Sequence, residues 1–518
     1  MGDEEEGSLL APSPPPPSED AALSWGEKVV VLGLVTSVSF SSNITNSLVL
    51  PFLPQEINAL GLPGQFLTGV VFAVFPLAVL VLSPLCNALA RRLGRVPLLY
   101  AGVPLQAVCA LMFGLATRLT ISPKGVVFVF LASRSLQGFG AALANLAIFA
   151  IVAEVFPSSL GKVMGLNEVI IGLGIMLGPV IGSALYSYGG FALPFLAGSG
   201  VLWLSFPFVV AYHRQSVREG RGSGSRGGLQ AGRRRESSLG SETAFYSAES
   251  SPAGRDEEEL LSMASPGGTA EEKENEGEAG SFWAQVGSVM TWRLILSAFV
   301  LFFAIGAFVW VETILSLHLQ NDLGFKEKYI GVVFAVINVT YSVVGPFVGA
   351  LADKFGYKPI MVAGLMLTGI TFIMMGPVSD IIIRREGGLR GQRIFEVSLL
   401  GLFGAFQTLC MIPTLPAMKE SVPGKLSENQ VNTVVMVFNQ FQQSGLMFTA
   451  PLSGALCPAI GWAKTMGIYG AVCLGIGMAS SFFFYVYGPL PKDDEEMSRR
   501  HGITAPLLDR REVERGMG

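Results

Sequence analysis

Long apolar segments recur along this chain, and short polar segments separate them. Six lie in the first half, near 27–53, 65–89, 97–118, 125–153, 162–187 and 191–212. Six more lie in the second half, near 293–319, 328–352, 358–380, 395–417, 430–456 and 463–487. Each has the length of about 20 residues that a helix needs to cross a bilayer. The pattern predicts an all-α membrane protein with twelve transmembrane helices.

The two sets of six are separated by a polar stretch. Residues 213–288 are rich in Gly, Ser, Glu and Arg, and such a segment buries too little apolar surface to fold. The predicted organisation is a disordered tail, a six-helix bundle, a disordered linker, a second six-helix bundle and a second tail, at 1–26, 27–212, 213–288, 289–488 and 489–518. The layout indicates two related halves.

Composition agrees with a membrane protein. Half of the residues (50%) are hydrophobic and only 14% are charged, whereas soluble domains carry about 25% charged residues. The three His show no metal-ligand spacing, and no nucleophile–base set or phosphate loop appears. We therefore expect no enzyme, no cofactor, no metal and no nucleic-acid partner, but a monomer surrounded by lipid.

Loop charge predicts the orientation. The linker and the turns at Arg91–Arg95 and Lys354–Lys358 hold many of the basic residues, and such loops stay in the cytoplasm. Both termini are then cytoplasmic. The segment "RREGGLRGQR" (384–393) opposes this trend, because it would form a loop on the other side with four arginines.

A short motif follows the second and the eighth segments. "GALADKFGYKP" (349–359) has a degenerate copy, "NALARRLGRVP" (87–97), in which Asn87 and Arg91 replace the usual Gly and Asp. The positions that carry the match are Gly94, Arg95, Gly349, Asp353, Lys354 and Gly356. Two related turns at the same place in each half predict an internal repeat.

Two further motifs lie in the fourth and fifth segments. "LASRSLQGFGAA" (131–142) carries Arg134, Gln137, Gly138 and Gly140. "GLNEVIIGLGIMLGPVIGSALY" (165–186) carries Gly165, Gly174, Gly178, Pro179 and Gly182. Small residues every fourth position form a smooth strip for close helix packing, and a proline permits a bend. We expect this helix to be close-packed and flexible.

The three motifs together resemble the major facilitator superfamily. Within it the chain is similar to the vesicular amine transporter family, most of all to its polyamine-associated branch. The first segment ends in "LPFLPQEI" with Pro51 and Pro54, and the seventh contains "VWVETILSLHL" with Glu312. The resemblance implies a proton-coupled antiporter of a small organic cation, an amine or a polyamine.

The chain also departs from the better-known amine transporters. Their acids in helices one, ten and eleven are replaced by Ser42–Asn43, Gln407–Thr408 and Asn439–Gln440. Monoamine chemistry is therefore not expected. Two rival functions remain open: an exporter of a drug or metabolite with a non-cationic substrate, and a transporter-fold sensor or trafficking protein without turnover.

Two acids are the candidates for proton and substrate binding. Glu312 has apolar and aromatic neighbours, so it could carry a proton in one step and hold a cationic amine in another, with Trp310 adding cation–π attraction. The alternative is a packing acid satisfied by Thr313 or Ser316. Glu168 should face the cavity or pair with Arg134, because a charge rarely faces lipid.

Other polar residues could line the same cavity or only hold helices together. They are Asn43, Asn46, Asn338, Tyr341, Gln407, Asn439, Gln440 and Gln443. In the tails and linker, Leu9–Leu10 and Leu260–Leu261 lie in acidic dileucine sequences. These predict sorting adaptors as partners, and a vesicular, lysosomal or vacuolar membrane rather than the plasma membrane.

Overall fold

The computed structural model describes residues 25–120, 122–156, 160–218, 286–424, 426 and 428–486. Their regular structure is helical, and twelve helices are long. These are α1 Trp25–Ser47, α2 Gly64–Leu93, α3 Arg95–Gly114, α4 Pro123–Val155, α5 Leu160–Gly189, α6 Ala192–Arg218, α7 Trp292–Leu317, α8 Glu327–Phe355, α9 Tyr357–Ile373, α10 Arg384–Met411, α11 Glu428–Ile460 and α12 Trp462–Val486. Short helices cover Leu53–Ala59, Ala116–Leu119 and Thr414–Lys419, and π-helical segments cover His318–Asp322 and Met374–Ile383.

Among the described residues, 11 helical segments are long and apolar enough to cross a membrane. The long helix outside this set is α11, whose 33 residues suffice in length but include polar side chains such as Asn439 and Gln440. Polar residues are tolerated in a spanning helix that packs inside a bundle. The predicted fold class, an all-α membrane protein of twelve helices, is confirmed.

The helices pair in the same way in both halves. In the first half α3 packs on α4 and α6, α1 packs on α5 and α6, and α2 packs on α4. In the second half α9 packs on α10 and α12, α7 packs on α11 and α12, and α8 packs on α10. The two six-helix bundles are therefore pseudo-symmetric.

The duplicated motif forms the same turn twice. Gly94 (φ 81°) alone separates α2 from α3, and Gly356 (φ 91°) alone separates α8 from α9. Only glycine adopts such angles readily. Six helices lie between the two turns, so both turns lie on one side of the molecule. We call it the turn side, and the opposite side the far side.

Two predicted boundaries change. The predicted loop 384–393 is wrong, because α10 begins at Arg384 and the chain bends only at Gly388 (φ 61°). The first segment breaks after Ser47, and a short helix begins at Leu53, because Pro51 and Pro54 cannot continue a helix interior. The predicted tails, most of the linker and both dileucine sequences lie outside the described residues.

The two bundles touch at the far side. Gly69 near the start of α2 packs on the Ala450 backbone of α11, and Gly454 packs on the Gln65 backbone. Gly331 near the start of α8 packs on the Pro179 backbone of α5. In addition, Leu50 lies in the hydrophobic core of the second bundle. A Cβ at these glycines would collide with backbone, so the close approach depends on glycine.

Candidate functional site

Glu312 lies on the face of α7 that meets the first bundle. It is buried, with 7% of its surface exposed. One turn later, Ser316 donates a hydrogen bond to the carbonyl of Pro51 and accepts one from Gln55 Nε2 at 3.4 Å. Residues four apart share a helix face. Glu312 therefore lies at the boundary between the bundles, toward the far side.

The carboxylate of Glu312 has no protein partner in the part of the chain that the structure describes. Thr313 donates its hydroxyl proton to the Val309 carbonyl at 2.8 Å, and Ser316 donates to Pro51. A hydroxyl has one proton to donate. Neither residue therefore donates a hydrogen bond to Glu312. The structure does not support the interpretation of Glu312 as a packing acid held by Thr313 or Ser316.

Trp310 points away from this boundary. Its ring is 1% exposed and stacks on Tyr469 of α12, with the ring centroids 4.3 Å apart. The Tyr469 hydroxyl in turn donates to the Phe303 carbonyl at 3.0 Å. Trp310 is thus part of the core of the second bundle, and a ligand beside Glu312 would not contact its ring.

Arg134 is the centre of a buried polar cluster in the first bundle. Its Nη1 donates to Asn46 Oδ1 at 2.6 Å and to Gln137 Oε1 at 3.2 Å. The guanidinium carbon lies 5.0 Å from the centroid of the Phe113 ring. These partners are neutral. The side chain of the predicted partner, Glu168, lies outside what the structure describes, so that ion pair stays a prediction.

Backbone register places Glu168 nearer the turn side than this cluster. Gly174 of α5 packs at Asn43 of α1, and Gly178 packs at Ser47. Glu168 precedes Gly174 by six residues, so its backbone lies about 9 Å closer to the turn side than Asn43 does. Glu168 and Glu312 therefore belong to different levels and different bundles.

Three of the remaining polar candidates donate to backbone carbonyls rather than to Glu312. Asn43 Nδ2 donates to the Ser39 carbonyl at 2.9 Å, and Asn338 Nδ2 donates to the Phe334 carbonyl at 3.3 Å, each within its own helix. Gln407 Nε2 donates to the Ala304 carbonyl, which links α10 to α7. The other four are Tyr341, Gln440 and Gln443, all half-buried, and Asn439, which is exposed.

The glycine strip of α5 packs on α1, inside the first bundle. Gly174 packs on the Phe40 backbone, Gly178 on Ser47 and Gly182 on the Leu48 backbone. On α4, Gly138 makes the same kind of approach to the Phe75 backbone of α2. The motif glycines therefore set helix spacing, whereas the Pro179 carbonyl faces Gly331 of the other bundle.

The charged residues of the turn motif pair locally. Asp353 accepts a hydrogen bond of 2.6 Å from the Tyr357 hydroxyl at the start of α9. Arg95 forms an ion pair with Glu154 near the end of α4. Lys354 is exposed. These contacts tie consecutive helices together on the turn side.

Sequence reasoning missed a buried cluster at the far end of α7. His318 Nε2 lies 2.8 Å from Glu396 Oε2 of α10, and His318 Nδ1 lies 2.7 Å from Asp322 Oδ2. The His318 ring also stacks on Trp462, with centroids 3.9 Å apart. The available signal was a His and an Asp one turn apart at the end of the seventh segment, but Glu396 is 78 residues away from His318.

A second acid is partly buried on the far side of the first bundle. Glu56 lies on the short helix Leu53–Ala59, and the Tyr186 hydroxyl of α5 donates to its Oε2 at 3.1 Å. Burial raises the pKa of Glu56, and this hydrogen bond lowers it by a smaller amount. Unlike Glu312, this carboxyl has a partner in its own bundle.

Comparison with known proteins identifies the family. Residues 35–312 and 294–514 match the model of the Major Facilitator Superfamily, and together they cover most of the chain. The chain belongs to this superfamily. Its fold agrees with the crystal structure of a D-xylose-proton symporter, with a TM-score of 0.59 and 13% identity over 88% of this chain and 97% of that one.

Relatives refine the placement within the superfamily. The chain is 25% identical to the MFS-type transporter SLC18B1 of Mus musculus, over 89% of this chain and 87% of the relative. A shorter part is 28% identical to the synaptic vesicular amine transporter of Mus musculus, over 31% and 30%. Multidrug resistance protein 2 of Bacillus subtilis (strain 168) is 26% identical over 38% and 46%. The resemblance found in the sequence is confirmed.

Proposed function

We propose that this transporter exchanges protons for a small organic cation, an amine or a polyamine, through one site that opens alternately to each side of the membrane. The observation that carries the proposal is the Glu312 carboxyl, which is buried between the bundles and unpaired by any side chain that the structure describes. Such a group needs either a proton or a cation to neutralise it.

The mechanism follows from the cost of a buried charge. An ionised Glu312 holds an ammonium group, because an unpaired carboxylate in the membrane costs at least a few kcal/mol. A proton from the opposite side neutralises the carboxyl, and the amine then leaves. Since one carboxyl cannot hold both, each transition between the two open states carries one of them. That exclusion is the coupling.

The comparisons support the substrate class. One relative is named as a vesicular amine transporter, and a relative that aligns over most of the chain is named as a transporter of the same superfamily. We keep Glu168 as a second acid, nearer the turn side, that meets the substrate before or after Glu312. Arg134 organises Asn46 and Gln137 in the first bundle.

We further propose that the turn side faces the cytoplasm and that the far side faces the lumen of a vesicle, lysosome or vacuole. The basic turns and linker support this orientation. The vesicular relative and the two dileucine sequences support the organelle. Sorting adaptors at Leu9–Leu10 and Leu260–Leu261 would then deliver the protein.

Uptake by proteoliposomes with an acidic interior tests the function. A panel of amines and polyamines should include compounds that accumulate only while the pH gradient lasts. Glu312→Gln should abolish this uptake, because the amide keeps the size of the side chain and cannot ionise. Glu312→Asp should keep part of it with a changed pH dependence.

Glu168→Gln is the matched control for this experiment. If Glu168 pairs with Arg134, its loss should lower expression or stability more than coupling; if it meets the substrate, uptake should weaken but keep its dependence on the pH gradient. If Glu312→Gln retains pH-driven uptake while Glu168→Gln loses it, the proton is carried on α5 and the proposal is wrong in its central residue.

A second candidate function is an exporter of neutral or anionic compounds, favoured by the similarity to a bacterial multidrug resistance protein. The same proteoliposomes distinguish it, because such substrates would accumulate without competing with amines. A third candidate, a sensor without turnover, predicts ligand binding with no uptake of any compound in the panel.

A further inference from the structure

The buried cluster around His318 lies outside the site proposed above. His318 begins the π-helical segment that ends α7, and it is 4% exposed. Its partner Glu396, near the start of α10, is 1% exposed. The other oxygen of Glu396, Oε1, accepts hydrogen bonds from Ser379 at 2.6 Å and from Gln392 at 2.9 Å. The cluster therefore joins the ends of α7, α9 and α10 at the far side.

Counting donors and acceptors indicates that this cluster binds one more proton than a neutral imidazole and two carboxylates would carry. Both ring nitrogens of His318 face carboxylate oxygens, at 2.7 and 2.8 Å. A neutral imidazole has one N–H, and an ionised carboxylate has no donor. One of the two contacts would then set two lone pairs against each other. A proton on His318 Nε2, or on Glu396 Oε2, removes that conflict.

Burial opposes a charged imidazole, whereas the contacts around the ring favour a bound proton. Trp462 covers the imidazole with its ring plane 2° from parallel, and an aromatic face attracts a cation. Ser379 on the π-helical segment Met374–Ile383 adds a donor without charge. π-Helical turns occur frequently at functional sites, and two of them meet in this cluster.

Other charged groups lie close in sequence to members of the cluster: Asp380 follows Ser379, and Lys464 lies two residues after Trp462. On α10, Arg393 donates to the carbonyls of Leu323 and Gly324, at the end of the same π-helical turn. On α11, Cys457 is a titratable side chain close enough to be affected by the charge of Asp322. Asp322 itself is 52% exposed. A proton can thus pass from the far-side solvent to Asp322 and then to the buried pair.

We propose that His318 and Glu396 form a second proton-binding site, reached from the far side through Asp322. The bound proton holds the end of α7 against α9 and α10. Ser316, two residues before His318, carries the hydrogen bond to Pro51 of the first bundle. Acidity of the far-side compartment therefore stabilises the contact between the bundles, independently of any proton on Glu312.

Nitrogen-15 NMR of the full-length protein with labelled histidine tests the proposal directly. The chain has three His residues, at 213, 318 and 501, so His318→Gln assigns the signal by its loss. At pH 7.5 we expect His318 to give the signal of a doubly protonated imidazolium. Glu396→Gln should convert it to neutral imidazole, whereas Asp322→Asn should change it less.

The alternative position of the proton is also visible. If His318 is neutral at pH 7.5, the proposal requires a protonated carboxyl, seen as an infrared band that Glu396→Gln removes. A neutral His318 without such a band overturns the proposal. Where His318→Gln fails to fold, His213→Gln and His501→Gln assign the His318 signal by elimination.

Thermal unfolding against pH tests the stabilising role. A native state that holds one extra proton loses stability as the pH rises, so the wild-type Tm should fall between pH 6 and 8.5. His318→Gln combined with Glu396→Gln should reduce that fall by about 2 °C or more. Each single variant should be less stable than the double variant, since it leaves one buried partner unpaired. An equal fall in the wild type and the double variant contradicts the proposal.

Discussion

At the scale of single residues, two buried ionisable side chains, Arg134 and Glu312, have different surroundings. Arg134 is buried and has partners at Nη1, which donates to Asn46 and Gln137, and it lies over Phe113, whereas its Nε has no hydrogen-bond partner among the described residues. Glu312 is buried and, in the described part of the chain, has no donor. A buried charge with hydrogen-bond partners on other helices holds those helices together. A buried carboxyl without a donor is available to a proton or a ligand.

Arg134→Lys should therefore damage the first bundle. One ammonium group cannot make both hydrogen bonds of Nη1 and keep the planar contact with Phe113. Hydrogen bonds of a charged group contribute about 1.5–3 kcal/mol each. We therefore expect the free energy of unfolding to fall by at least the contribution of one such bond, measured by thermal unfolding. The control is Arg118→Lys, because Arg118 is exposed. Equal stability of both variants would contradict the role given to Arg134.

Sequence reasoning singled out Glu312 and Arg134, both of which are buried, but it did not predict Asn46, Gln137 and Phe113 around Arg134. Asn46 and Phe113 come from α1 and α3, and no pattern on α4 specifies them. Sequence reasoning assigned Trp310 a cation–π contact with the ligand because it is near Glu312 in sequence. On a helix, however, two residues of separation turn it about 200° away, and it faces Tyr469.

At the scale of helices, glycine decides how closely two backbones approach. The strip of α5 packs on α1 at Gly174, Gly178 and Gly182. A few residues earlier on α5, the space around Gly172 is open. Gly178 is thus closely packed and Gly172 is not. Substitutions at these two positions of one helix can be compared to test the role of the strip.

Gly178→Leu should separate α5 from α1, because its Cβ would collide with Ser47. We expect transport to fall further than substrate binding does, since the fifth helix must move with its bundle. Gly172→Leu, of the same size on the same helix, should transport almost normally. Binding and uptake of one amine in proteoliposomes give both quantities. Normal uptake by Gly178→Leu would contradict the packing role of the strip.

Hydrophobic pattern predicted the helices well because membrane helices are long and continuous. It failed at Arg384–Arg393, where polarity indicated a loop and the chain is helical. It also ended the first segment at 53, although the helix ends at Ser47. Charge and proline content do not show whether neighbouring helices stabilise a helix that begins with polar residues. These boundaries could therefore be found only in the structure.

At the scale of the whole molecule, the two bundles are in contact at the far side. Cys457 lies in this contact, 7% exposed, and forms a side-chain hydrogen bond with Gln65 of the opposite bundle. Cys410 and Cys473 are fully buried inside the second bundle. A native thiol therefore reports on the separation of the bundles.

Gly331→Ala should open this contact, because its Cβ would collide with the Pro179 backbone across the boundary. We expect a membrane-impermeant maleimide to modify Cys457 several-fold faster in this variant, measured by mass spectrometry, while Cys410 and Cys473 stay unmodified. Gly345→Ala is the control on the same helix, where a Cβ would lie at an ordinary 3.5 Å from Ile412. Equal labelling rates would contradict closure of the bundles at Gly331.

The central claim is that one carboxyl, Glu312, holds a proton and the amine in turn. Equilibrium binding of a radiolabelled amine substrate to the purified protein, across pH 5.5–8.5, tests it most directly. If the two compete, apparent affinity should fall by about tenfold for each pH unit on the acid side of the titration. Glu312→Gln should bind weakly and without pH dependence. Wild-type affinity that stays constant with pH, or a Glu312→Gln variant that keeps the slope, would contradict the account.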